Sequence, residues 1–147
     1  MTEQEINPSS DNSNERQERL KKLGELKDLN IEPYPSRASR THSLENVIDN
    51  FQELKNNQEV IIVGGRIINQ RSHGNLIFAS LRDESGDIQI ALSQKDIGKQ
   101  YFKIFQKLID RGDFVEVTGY CFVTQKGEES IMVQDWKILS KSIRPLP

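Results

Sequence analysis

The chain has 147 residues, 35% hydrophobic and 29% charged, with a net charge of −2 and a pI near 5.8. That length suits one compact domain with appendages rather than two full domains. The near-neutral charge argues against duplex binding through a broad basic surface while leaving room for a small base-reading site.

No apolar run approaches the roughly 18 residues that would span a bilayer. The opening "MTEQEINPSSDNSNE" has neither the basic-then-apolar build of a secretory signal nor the Arg-rich character of a transit peptide, so the cytoplasm is the expected location and no membrane partner is expected. Residues 1–14 have the composition of a disordered tail. A helix follows, with Ser13 or Asn14 as N-cap, Glu15 and Glu18 in its first turn and Leu20, Leu23, Leu26 and Leu29 at roughly helical spacing. Asn30 can stop it, and "IEPYPSR" is extended because each proline disfavours helix at the residue before it.

Ser43 opens a second helix, with Leu44, Val47, Ile48, Phe51 and Leu54 on one apolar face. Residues 15–57 thus form a helical extension. From Glu59 the period becomes that of strands, and "EVIIVGGRIINQR" is a long strand whose Gly64-Gly65 pair predicts a bulge or sharp bend. "SHGN" turns the chain, and 76–83 and 87–93 make a hairpin. The next helix carries Asp96 as N-cap and Ile97, Tyr101, Ile104, Phe105 and Leu108 on a stripe, and Gly112 ends it. Strands 113–124 and 129–139 form a second hairpin around "QKGE", where Gly127 suits the turn.

Three strands, a helix and two strands is the order of an OB-fold, a five-stranded Greek-key barrel. The expected fold is therefore mainly β with flanking helices, an OB barrel over residues 58–140 behind the helical extension. A generic α+β sandwich is the competing architecture.

Cys121 is the only cysteine, inside the apolar run "FVEVTGYCFV", and reads as a small core residue. His42 and His73 read as loop or helix-start residues. No metal site and no catalytic constellation is expected.

The hairpin "NLIFASLRDESGDIQIAL" raises a sharper question. If Ile77, Ala79, Leu81, Ile88, Ile90 and Leu92 point inward, then Phe78, Ser80, Arg82, Gln89 and Ala91 point out. This is the surface on which OB barrels take single strands. A phenylalanine there offers a stacking plane and a glutamine amide can donate and accept along a base edge. The bland alternative is a ring covered by a flanking helix. Arg71 in "NQRSHGN" and Glu128 in "TQKGEES" are, taken alone, ordinary loop and turn charges.

Four stretches, "RLKKLGELKDLNIEPYP", "GGRIINQRSHGNLIFASLRDESGDIQIAL", "RGDFVEVTGYCFVTQKGEESIMV" and "LSKSIRPLP", together resemble the N-terminal anticodon-binding domain of class II lysyl-tRNA synthetase, from about residue 16 to 147. The glycine-arginine strand is shared with aspartyl- and asparaginyl-type relatives. The "PYP", "TQKGEES" and "KSIRPLP" segments favour the lysyl type.

The resemblance implies an OB barrel that holds the unstacked anticodon loop of lysine tRNA, with Phe78 as the stacking phenylalanine, Gln89 as the base-reading glutamine, Arg71 as the loop arginine and Glu128 as the turn glutamate. Arg82 shares their face. Two departures are visible. Asn75 and Asp87 stand where the family often has basic residues, which implies weaker attraction for the RNA backbone. The motifs that bind ATP in these synthetases are absent, residues 141–147 resemble the linker towards the catalytic domain, and the chain itself is expected to be no enzyme and to carry no cofactor. ATP and Mg would belong to the catalytic domain of a parent enzyme, implied to be a homodimer, and no DNA partner is expected. The other readings are a protein-interaction or dimerisation module, using helices 15–29 and 43–54 with the Phe78 face, or a generic single-strand binder.

Overall fold

A computed structural model describes residues 40–142. The expected tail, the helix over 15–29, the "PYP" segment and "IRPLP" lie outside the described residues. Two short helices, α1 (Leu44–Asp49) and α2 (Phe51–Asn56), precede strand β1 (Val60–His73). Then come β2 (Leu76–Arg82), β3 (Asp87–Ser93), helices α3 (Gln94–Ile97) and α4 (Lys99–Leu108), β4 (Phe114–Val123) and β5 (Glu129–Ser140).

The strands close in the order β1-β2-β3-β5-β4, with β4 returning to β1. All neighbours are antiparallel except β3 and β5, which run parallel over Gln89–Ala91 and Ser130–Met132. This is the OB-fold. Strand alternation builds its core, because Ile77, Ala79 and Leu81 of β2 and Ile88, Ile90 and Leu92 of β3 are all buried.

The long β1 changes partners halfway. Its first half pairs with β4 and its second with β2, and Arg66 faces both Phe114 and Arg82. The bulge expected at Gly64-Gly65 sits instead at Ile68, where pairing skips from Ile67–Leu81 to Asn69–Ser80. The glycines serve the crossing in another way. A Cβ on Gly65 would lie 2.6 Å from the Arg82 carbonyl oxygen, so only glycine lets the two backbones approach.

The helix expected from Ser43 is interrupted. Ser43 does cap it, accepting from the Asn46 N–H at 3.1 Å. The segment breaks at Asn50. Leu44, Val47, Phe51 and Leu54 are buried, whereas Ile48, expected on the same face, is 39% exposed. The buried set repeats every three to four residues, a stripe too narrow to include its neighbour. Asp96 is not a cap either. It lies within α3, and Gly98, at φ +94, takes the N-cap position of α4 because the chain bends there through a left-handed conformation. Helix α4 ends at Leu108, ahead of Gly112, whose φ of +97 and N–H bond to the Ile67 carbonyl shape the turn into β4.

Phe102, Phe105 and Leu108 of α4 join the core. Tyr101 and Phe105 pack on Trp136 of β5, at centroid distances of 5.4 and 5.2 Å. Cys121 is buried as expected, and burial, with the carboxylates of Glu129 and Glu59, pushes its thiol up to about 11.

Two carboxylates lock loops to the barrel. Asp83 accepts from the backbone N–H groups of Leu44, Ser85 and Gly86 and from the Ser85 hydroxyl, tying the β2–β3 turn to the start of α1. Burial raises its pKa, but these bonds outweigh that and hold the carboxyl below the usual value. Asp113 is fully buried and pairs with Lys141 at 2.5 Å. The same ammonium donates to the Leu108 carbonyl at 2.6 Å and to Asp110 at 2.9 Å. Asp113 also accepts from the Ser142 N–H, which pins the chain after β5 to the α4–β4 loop. Burial pushes the Asp113 carboxyl up, against the pull of the Lys141 ammonium and the neighbouring amides.

Candidate nucleic-acid interface

Phe78 faces outward from β2, half-buried, while its neighbours Ile77 and Ala79 are sealed in the core. No helix covers it. Its register partner across the β1–β2 pair is Arg71, whose guanidinium sits 5.2 Å from the ring centroid. On the β3 side the partner is Ala91, expected to be exposed but fully buried. His73 approaches edge-on, with centroids 6.0 Å apart and an interplanar angle of 69°.

These side chains border a cleft of about 480 Å³, closed on the far side by the β4–β5 turn. That turn is rigidly built. Gly127 adopts φ +86, and its N–H donates to the Thr124 carbonyl at 2.9 Å. The Thr124 N–H donates to the Glu128 carbonyl, and the Glu128 N–H donates to the Thr124 hydroxyl. Glu128 therefore holds its carboxylate at the rim of the cleft.

Gln89 stands beside that rim. Its amide nitrogen donates to Glu128 Oε1 at 3.2 Å and to Ser130 Oγ at 3.0 Å. Ser80 is its register partner on β2. The parallel β3–β5 pairing makes this meeting possible, since Gln89 is opposite Ser130, two residues beyond Glu128.

Four of the five expected residues therefore come together: Arg71, Phe78 and Glu128 around one cleft, and Gln89 bonded to Glu128 at its edge. Arg82 does not join them. It lies four residues along β2 from Phe78, about 13 Å by strand rise, and pairs with Asp87 at 3.2 Å.

Seven further residues line the cleft that the sequence did not point to, among them His73, Phe122 and Lys126. His73, expected in a loop, ends β1 against Phe78. Phe122 and Lys126 line the opposite wall. Phe122 could have been found, because it alternates with buried Cys121 and so points out. Lys126 carried no such signal.

The combination offers a flat apolar surface, a guanidinium with several donors, and a carboxylate acceptor within one concave site. A planar, unpaired base with carbonyl acceptors and an N–H donor would satisfy all three. Among the described residues, no group of three or more His, Cys, Asp and Glu comes together to hold a metal ion, and no helix is long and apolar enough to cross a membrane.

The tRNA anti-codon family model, an OB-fold nucleic acid binding domain, matches residues 60–139. The chain is 44% identical over 129 residues to the lysine–tRNA ligase of Carboxydothermus hydrogenoformans, covering 88% of this chain and 26% of that protein. It is 42% identical to the lysine–tRNA ligase of Syntrophomonas wolfei over all 147 residues, 28% of the latter. With the lysine–tRNA ligase of Roseiflexus sp. it shares 44% over 133 residues, 90% of this chain and 27% of the relative. The chain thus spans about a quarter of the length of the curated relatives it matches.

Proposed function

This chain belongs to the tRNA anti-codon family of OB-fold nucleic acid binding domains, and from that premise we propose that it reads the uracil-rich anticodon of lysine tRNA as the N-terminal domain of a class II lysyl-tRNA synthetase. The observation that carries the proposal is the outward Phe78 ring, flanked by Arg71 and facing Glu128 across a cleft.

Lysine codons demand uracil at the middle and third anticodon positions. Uracil presents two carbonyl acceptors and one N–H donor. Phe78 supplies the stacking plane, Arg71 donates to a carbonyl, and the Glu128 carboxylate accepts the N–H. Gln89 acts through Glu128 as well as directly, because the hydrogen bond its Nε2 donates to Oε1 orients the carboxylate.

The domain itself performs no chemistry in this account. The parent ligase joins lysine to tRNA as a cytoplasmic homodimer, with ATP and Mg supplied to a catalytic domain beyond the residues described above. Nitrogen-15 correlation spectra of the chain, recorded as a lysine-tRNA anticodon hairpin is added, test the reading. Shifts centred on the amides of Arg71, Phe78, Gln89 and Glu128 support it. Shifts confined to α1 and α2, with none on the cleft, would reject it.

A further inference from the structure

A second basic surface lies on the other flank of the β1–β2 pair. Arg66, Arg82 and Arg111 line a hollow of about 480 Å³ together with Phe114. Arg40 borders an adjoining hollow and packs its side chain against Gly64. In a chain of net charge −2, four guanidinium groups gather here beside the carboxylates of Asp83, Glu84 and Asp87, which leaves a small local excess of positive charge.

The arginines are held for use. The Arg66 guanidinium lies over the Phe114 ring, 4.7 Å from its centroid. Arg111 is exposed in the loop before β4. Arg82 makes an exposed ion pair with Asp87, a contact that solvent screens and that a stronger anion can replace. Asp83 and Glu84 also border the hollow and set two negative charges against its three arginines; the Asp83 carboxylate is turned towards four donors of the β2–β3 turn and α1, while Glu84 is exposed.

We infer that this flank is a phosphodiester-backbone site, which takes the RNA strand as it leaves the Phe78 cleft; the inference rests on the RNA-binding reading of that cleft. Guanidinium forks match phosphate oxygens two at a time. The same strand pair carries both sites, since Arg66 faces Arg82 just as Arg71 faces Phe78. Their separation of about 13 Å along β2 is a few nucleotides of backbone, at on the order of 3.4 Å of rise each in a stacked strand. Base contacts specify and phosphate contacts position, and the two duties fall on two surfaces.

The test measures affinity of the full chain for two anticodon hairpins, with UUU or UCU in the loop, between 50 and 200 mM salt, roughly the range over which phosphate contacts are felt. For Arg66→Ala/Arg111→Ala, the slope of log affinity against log salt should fall by about 1–2, with the UUU-over-UCU ratio unchanged. If the double variant does not fold, Arg111→Ala alone, at an exposed loop position, should lower the slope by about 0.7. An unchanged slope overturns the inference, as it would if the arginines instead face an acidic protein surface. Equal affinity for the two loops with the slope still reduced rejects the base-reading proposal and leaves the backbone site standing. No binding of either hairpin rejects both.

Discussion

The guanidinium of Arg71 covers the ring of Phe78 at 5.2 Å across the β1–β2 ladder, so the candidate stacking platform has a charged companion in the unbound protein. An incoming base therefore either shares the ring with Arg71 or moves it aside, and in both cases the two residues act as a pair.

Phe78→Ala follows directly. The ring is half-buried and outside the core, so its loss should cost clearly less stability than the roughly 3–5 kcal/mol of a buried phenylalanine. Hairpin binding should weaken by about 1–3 kcal/mol. Its salt slope should stay at the wild-type value, because stacking is uncharged. Urea melts followed by the fluorescence of Trp136, the only tryptophan, give the first quantity, and hairpin titrations the others. A large stability loss with normal binding would show that the ring is packing.

Gln89→Leu tests the rim. It removes two side-chain bonds, to Glu128 and Ser130, at about 0.5–1.5 kcal/mol each. Discrimination between UUU and UCU loops should fall, while affinity for UCU changes little. Selectivity equal to wild type would remove Gln89 from the recognition surface.

Asp83 sets a pH dependence. Its folded pKa lies below the ordinary value, so it stabilises above the unfolded carboxylate range, and that contribution is lost as pH falls through the folded value. At neutral pH Asp83→Asn should cost about 1–3 kcal/mol. The gap between variant and wild type in urea melts should close on acidification, and a gap independent of pH would contradict the assignment.

Lys141→Met leaves Asp113 buried without its cation. The expected loss is about 3–5 kcal/mol. Replacing both, Lys141→Met with Asp113→Leu, should recover part of it, since an apolar pair does not strand a charge. A double variant no more stable than the single one, in chemical denaturation, would contradict this account of the pair.

The strands were legible because alternation is a local property. The inward and outward sets of β2 and β3 could be read from "LIFASLR" and "DIQIALS" before any pairing was known, and the expected face of Phe78 follows from it. The breaks at Asn50 and Gly98 were not legible, since each apolar stripe continues across its break and only backbone geometry marks the interruption. The same holds for the bulge at Ile68, which pairing with β2 decides and the glycine pair does not. In the candidate site, Arg71 and Phe78 meet through one hairpin. Gln89 and Glu128 are separated by 39 positions and meet only because β3 and β5 run parallel. No spacing in the sequence announces that contact. The resemblance, not the periodicity, singled out Glu128.

The central claim is that the cleft reads uracil. The most direct measurement is a fluorescence titration of the wild-type chain with two lysine-tRNA anticodon hairpins that differ only in the middle base of the anticodon. Cytosine replaces the N–H donor and one carbonyl with the opposite pattern, so Arg71 and Glu128 would each face the wrong partner. The uracil hairpin should bind more tightly by about 1–3 kcal/mol, by analogy with single mismatches in groove readers. Equal affinity for the two hairpins would contradict it.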